Sequence, residues 1–123
     1  MRVSAKAVTA GFRWRDVEGA LSKVHEEVGE LVEVLPDQAL ESMGSPDLSP
    51  GVWSRIDHEL GDLLMSAAFL ASYLGRDPES LCRLATRRFE ARFRRLEDSL
   101  SGDLQRDLDE LEAAWMKVKE ELS

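Results

Sequence analysis

Apolar residues return every three or four positions through most of this chain, and only helices present such positions on one face. Val17, Leu21, Val24, Val28, Leu31 and Leu35 step by four and three. Ile56, Leu60, Leu63, Ala67, Leu70 and Leu74 repeat the pattern, followed by Leu81, Leu84, Ala85, Phe89, Phe93 and Leu96, and then by Leu104, Leu108, Leu111, Trp115, Val118 and Leu122. No stretch sustains a period of two, and threonine and tyrosine are scarce, so strands are not expected. The periodicity predicts an all-α, four-helix-bundle-like fold in one domain spanning residues 1–123.

Helix punctuation sets the expected boundaries. Asp16 reads as an N-cap for a helix over about 16–35 that stops before Pro36. A short helix from about Val3 to Thr9 precedes it and ends before Gly11. Ser49-Pro50 opens a helix over about 50–74, closed by Gly75. Asp77-Pro78 opens another over about 78–99, Ser101-Gly102-Asp103 breaks it, and a last helix covers about 104–122. From Leu63 to Ala71 the second main helix is apolar nearly all round, which marks it as the most buried. Residues 36–51 hold three of the four prolines and read as a long loop.

A net charge of −8 argues against a nucleic-acid backbone as the main partner, since that binding runs on clustered Lys and Arg. The single cysteine, Cys82, precludes an intrachain disulfide and reads as a small buried hydrophobe, and there is no Cys/His cluster for zinc. The N-terminus lacks a signal-peptide segment, and the apolar run Leu63 to Ala71 is too short to span a bilayer. A cytoplasmic location, away from membranes, is expected.

The most informative feature is two matching pairs of acids. Glu27 and Glu30 are three apart on the first main helix, and Glu59 and Asp62 are three apart on the second. Residues three apart share a helix face. At roughly 100° per residue, Glu27 and Glu30 lie about 80° and 140° to one side of their apolar stripe, and Glu59 and Asp62 about 60° and 120° to the same side of theirs. Two antiparallel helices would bring all four together. At an effective dielectric near 20, two charges ~5 Å apart cost on the order of 3 kcal/mol, so such a cluster needs protons or cations. An all-oxygen donor set selects a hard cation, Mg²⁺ or Mn²⁺, before zinc. Gly29 and Gly61 lie inside the acidic segments, which suggests close helix approach. A di-iron carboxylate bundle would require Glu-x-x-His pairs, which are absent; His25 and His58 are expected on other faces. A solvated acidic helix face has the same spacing and stays open on spacing alone. Arg88 and Arg92, four apart, and Lys119, four after Trp115, supply a basic complement suited to phosphate.

These residues resemble the MazG nucleotide pyrophosphohydrolases, in particular the C-terminal-type domain of their two-domain members. The family's Glu-Glu-x-x-Glu and Glu-x-x-Asp motifs correspond to Glu26-Glu27-Val28-Gly29-Glu30 and Glu59-Leu60-Gly61-Asp62, separated by 28 residues. Gly11-Phe12-Arg13-Trp14, Arg88-Phe89-Glu90-Ala91-Arg92-Phe93 and Trp115-Met116-Lys117-Val118-Lys119 resemble three further family segments, so the likeness covers about residues 11–119. Arg88 stands where the family has Lys, and the spacer is long. The resemblance implies hydrolysis of a (deoxy)nucleoside triphosphate to monophosphate and pyrophosphate by in-line attack of water on the α-phosphorus. It implies Mg²⁺, with Mn²⁺ as a substitute, held by Glu27, Glu30, Glu59 and Asp62. Glu26, with Glu27, is then the catalytic candidate for water activation. Arg88, Arg92, Trp115 and Lys119 are the implied substrate-binding residues, and a homodimer or homotetramer is the implied assembly. The alternatives are a narrower dUTPase-like or damaged-nucleotide pyrophosphatase on the same scaffold, and a catalytically silent helical oligomerisation module.

Overall fold

The structure, a computed structural model, describes residues 2–11, 15–41 and 47–122. Among these residues the fold is entirely helical: α1 (Arg2–Thr9), α2 (Val17–Val34), α3 (Asp37–Leu40), α4 (Pro50–Tyr73), α5 (Pro78–Ser99) and α6 (Leu108–Glu121). Phe12, Arg13 and Trp14 of the expected Gly-Phe-Arg-Trp segment lie outside the described residues, as do residues 42–46 of the expected loop. None of the described helices is long and apolar enough to cross a membrane.

Local side-chain chemistry accounts for the boundaries. Asp16 Oδ1 accepts from the Gly19 N–H at 2.8 Å and starts α2. Ser49 Oγ accepts from the Val52 N–H at 3.4 Å, one residue ahead of Pro50, and starts α4. Gly75, at φ +75°, ends α4 in the left-handed conformation, with the Arg76 N–H donating back to the Ala71 carbonyl at 2.9 Å. Ser101 and Gly102 are both left-handed after α5, and the Gly102 N–H reaches the Glu97 carbonyl at 2.8 Å.

Two boundaries depart from expectation. The last helix begins at Leu108 and not at Leu104. Asp103 Oδ1 accepts from the Gln105 N–H at 3.0 Å and holds a turn there, while Asp107 Oδ1 caps the Glu110 N–H at 2.9 Å. Two aspartates competed for the cap, and the later one won. Within the expected loop 36–51, residues Asp37–Leu40 form the single turn α3 directly after Pro36, whose fixed φ suits a helix start.

The chain divides into two compact units, residues 1–78 and 79–123. In the first, α4 packs against both α2 and α1. Ile56, Ser66, Ala68 and Ser72 of α4 are buried, and the Ser72 hydroxyl lies 2.7 Å from that of buried Ser4 on α1. In the second unit, Leu96 of α5 and Val118 of α6 are buried. Phe89 meets Trp115 at 5.4 Å between ring centroids, and Arg95 Nε donates to Glu121 Oε2 at 3.1 Å.

Burial follows the apolar stripes only at Ile56, Leu96 and Val118. On α2 the buried residues are Ala20 and Glu27, while Leu21, Val28 and Val32 are exposed. The face of α2 that is buried is turned from the leucine–valine stripe towards the acids. On α4, expected to be the most buried helix, Ile56, Ser66, Ala68 and Ser72 are buried, yet Leu64 within its apolar run is 66% exposed and Leu60 of its stripe is exposed as well. Of the inward positions expected on α5, Leu81, Leu84, Phe89 and Phe93 are exposed, and Cys82 is exposed as well. One chain of this length leaves a large share of its apolar surface uncovered.

Candidate functional site

The turned face of α2 brings its acids against α4. One carboxylate oxygen each from Glu27, Glu30 and Glu59 lies within 4.8 Å of the others. A second group, His58, Glu59 and Asp62, meets the same distance, so Glu59 belongs to both. All four acids expected from the spacing therefore enter one linked constellation. Glu27 is only 5% exposed; Glu30, Glu59 and Asp62 are half-buried.

A buried carboxylate needs compensation. Glu27 receives it on one oxygen only, from Lys23 Nζ at 2.9 Å. Lys23 also stands 3.4 Å from Glu26 Oε1, which faces outward and joins neither acidic group. Lys23 is a site residue that the sequence reading missed; its signal is the four-residue spacing from Glu27. The Lys23 hydrogen bond holds the Glu27 carboxyl below the usual carboxylate range, against an opposing effect of burial, and the same bond raises the Lys23 ammonium. Glu30 is pushed up, first by hydrogen bonding to the Glu27 carboxyl, which favours a proton on Glu30, and then by the Glu27 charge.

The remaining oxygens are the strongest sign of a ligand. Glu27 Oε2 and Glu59 Oε2 are buried and have no hydrogen-bond partner. With the neighbouring acids ionised, no donor faces them, and leaving them so is costly. A cation between the helices would satisfy both. Donor atoms a few ångströms apart, all of them carboxylate oxygens, suit a hard divalent ion such as Mg²⁺ or Mn²⁺.

Two further expectations are corrected. His58 does not sit on a separate face: its Nε2 is 3.3 Å from Asp62 Oδ2, one helical turn on. Gly29 and Gly61 do not mark close helix approach, for a Cβ on either would meet no atom within 4 Å. The basic and aromatic candidates belong to the second unit. Arg88 is exposed and Arg92 half-buried, four apart on α5; Trp115 is half-buried and Lys119 exposed, four apart on α6. Trp115 helps to line an apolar hollow of about 400 Å³ with Phe89, Phe93, Leu96, Leu111 and Met116.

An all-α fold that turns carboxylates from two helices towards one point defines the class: a helical protein with a candidate cation site between helices. Comparison with known proteins narrows the class. A family model described as the MazG nucleotide pyrophosphohydrolase domain matches residues 15–93, and the chain belongs to that family. It is 34% identical over 122 residues to a Thermotoga maritima protein named nucleoside triphosphate pyrophosphohydrolase/pyrophosphatase MazG, covering 96% of this chain and 42% of the relative. It is 28% identical over 126 residues to the nucleoside triphosphate pyrophosphohydrolase of Escherichia coli K12, with the same coverage of 96% and 42%. The chain thus spans about two-fifths of the length of these curated relatives. No solved structure matches it significantly.

Proposed function

We propose that this protein hydrolyses nucleoside triphosphates to the monophosphate and pyrophosphate, with a divalent cation, Mg²⁺ by preference, held by Glu27, Glu30, Glu59 and Asp62. One observation carries the proposal: two helices each contribute a buried carboxylate oxygen without a partner, Glu27 Oε2 and Glu59 Oε2, beside a third acid. A silent helical module gains nothing from that arrangement. Family membership and the printed names of the relatives supply the reaction class.

A bound divalent cation would offset phosphate charge and lower the pKa of a coordinated water. The chain's own groups supply the rest. Glu27 and Glu59 fix the inner donors, and Lys23 keeps Glu27 ionised as one. Glu26, outside both acidic groups, carries its proposed role of taking the proton of the attacking water by its place in the family motif alone. Arg88, Arg92 and Lys119 are assigned to the phosphates, and Trp115 to the nucleotide's flat surface. The exposed apolar lines of α2 (Leu21, Val28, Val32) and α4 (Leu60, Leu64) support a homo-oligomer, in which a second copy covers them.

The test is product analysis of the purified chain with a panel of the common nucleoside triphosphates, with Mg²⁺ and with EDTA. Metal-dependent release of monophosphate and pyrophosphate is expected. Diphosphate and orthophosphate, or turnover unaffected by EDTA, would refute the proposal.

A further inference from the structure

The acids do not form one uniform site. Along α4, His58, Asp62 and Glu59 fan across about 100° of the helix surface, with Asp62 between the other two. Glu59 stands at the inner edge, where it meets Glu27 and Glu30. His58 stands at the outer edge, its side chain 72% exposed, with Nε2 3.3 Å from Asp62 Oδ2. Donor atoms adjacent on one octahedral ion of Mg²⁺ size stand about 3.0 Å apart, and opposite ones about 4.2 Å. The His58–Asp62 separation is close to the first value without any helix movement. The inner group offers oxygen only; the outer group offers one imidazole nitrogen and two carboxylates.

We propose that the centre has two unlike cation positions sharing Glu59, and that His58 makes the outer one, His58–Glu59–Asp62, selective for Mn²⁺ over Mg²⁺. This rests on reading the acids as a divalent-cation centre, for which the independent observation is that Oε2 of Glu27, a residue 5% exposed overall, and Oε2 of the shared Glu59 are both buried without a hydrogen-bond partner. Imidazole is a borderline donor: it gains more from a transition-metal ion than from Mg²⁺, which binds oxygen and water in preference. A third carboxylate in place of His58 would leave both positions with oxygen alone. The alternative is that His58 and Asp62 are simply paired on the helix surface, with no metal contact.

The experiment uses the full chain as wild type, His58→Ala, His58→Gln and, as a control on the other histidine, His25→Ala. Mn²⁺ binding is followed by EPR, Mg²⁺ binding by calorimetry, and nitrogen coordination by pulsed EPR of the bound Mn²⁺. Far-UV circular dichroism verifies that each variant keeps its helices. Nitrogen modulation is expected in wild type and His25→Ala and absent in both His58 variants. Replacing His58 should lower Mn²⁺ affinity about tenfold and change Mg²⁺ affinity by less than about twofold, the size expected for one donor of a borderline metal. Bound Mn²⁺ without nitrogen modulation in wild type, or equal losses for both metals, would overturn the proposal while leaving the carboxylate centre standing. No binding of either ion would overturn both.

Discussion

Replacing Glu30 by Gln should make the metal-free protein more stable and the metal-loaded protein less so. Glu27, Glu30 and Glu59 offer oxygens within 4.8 Å of one another, Asp62 adds a fourth charge beside Glu59, and Lys23 Nζ, 2.9 Å from Glu27, is the cation paired with this group. The Gln amide keeps the volume of Glu30, removes one of the mutually repelling charges and brings an N–H donor into the group of acids that includes Glu27. In EDTA the thermal midpoint should rise by about 2–4 °C. In wild type, a divalent ion at a hundred times its dissociation constant adds about 2.7 kcal/mol, equivalent to roughly 10 °C for a chain of this size. That metal-induced rise should nearly vanish in Glu30→Gln. Differential scanning fluorimetry with EDTA and across a Mg²⁺ or Mn²⁺ series reads both effects. A variant that is less stable than wild type in EDTA, or that keeps the full metal-induced rise, would refute the reasoning.

The same contrast predicts how the metal-free wild type responds to acid. Glu30 has its folded pKa raised, so its contribution to stability is present below the unfolded value and is lost as pH rises through the folded one. Glu27 has its folded pKa lowered, so the stability it contributes is present above the unfolded value and is lost as pH falls through the folded one. Acidification from neutrality should first stabilise the protein, as Glu30 takes its proton, and then destabilise it as Glu27 loses its bond to Lys23. Glu30→Gln should lack the initial rise. A monotonic fall in wild type would refute the paired assignment.

Other consequences are simpler to read. Asp16→Ala removes the acceptor 2.8 Å from the Gly19 N–H and should cost about 1 kcal/mol in chemical denaturation. Leu64→Glu places a charge on the exposed apolar line of α4; light scattering should then show the monomer of 13.8 kDa in place of an oligomer, with helix content unchanged. Trp115→Ala removes the ring 5.4 Å from Phe89, should destabilise the second unit by about 1–3 kcal/mol, and should raise KM for the nucleotide more than it lowers kcat.

How much of this was legible in the sequence depended on the range of the interaction involved. Asp16, Ser49-Pro50 and Gly75 act on backbone groups within a few residues of themselves, and each ended or started a helix where its chemistry required. The failure at the last helix is of the same local kind, for Asp103 and Asp107 are equally good caps and only folding decides between them. The acids converged as their spacing indicated because the three-residue step fixes both members of a pair to one face. Lys23 was missed and His58 was placed on another face because spacings of three between acids do not report them: each pairs through a spacing of four to a residue of opposite character.

Burial was the least legible property, and the reason is physical. Periodicity states which residues should leave water; it does not state whether the surface that covers them belongs to the same chain. Leu21, Val28, Leu60 and Leu64 repeat at helical spacing as faithfully as Ile56, yet Ile56 alone of these is buried. On α2 the surface turned inward holds Ala20 and Glu27 instead. Alanine is small enough for a neighbouring helix to pass closely, and Glu27 tolerates burial because Lys23 neutralises one of its oxygens. The other oxygen remains unsatisfied, so the chain's own groups compensate this helix face only in part. A helix that turns a glutamate inward and leaves valine and leucine outside fits the proposed function: a cation would satisfy the first, and a second copy of the chain would cover the others.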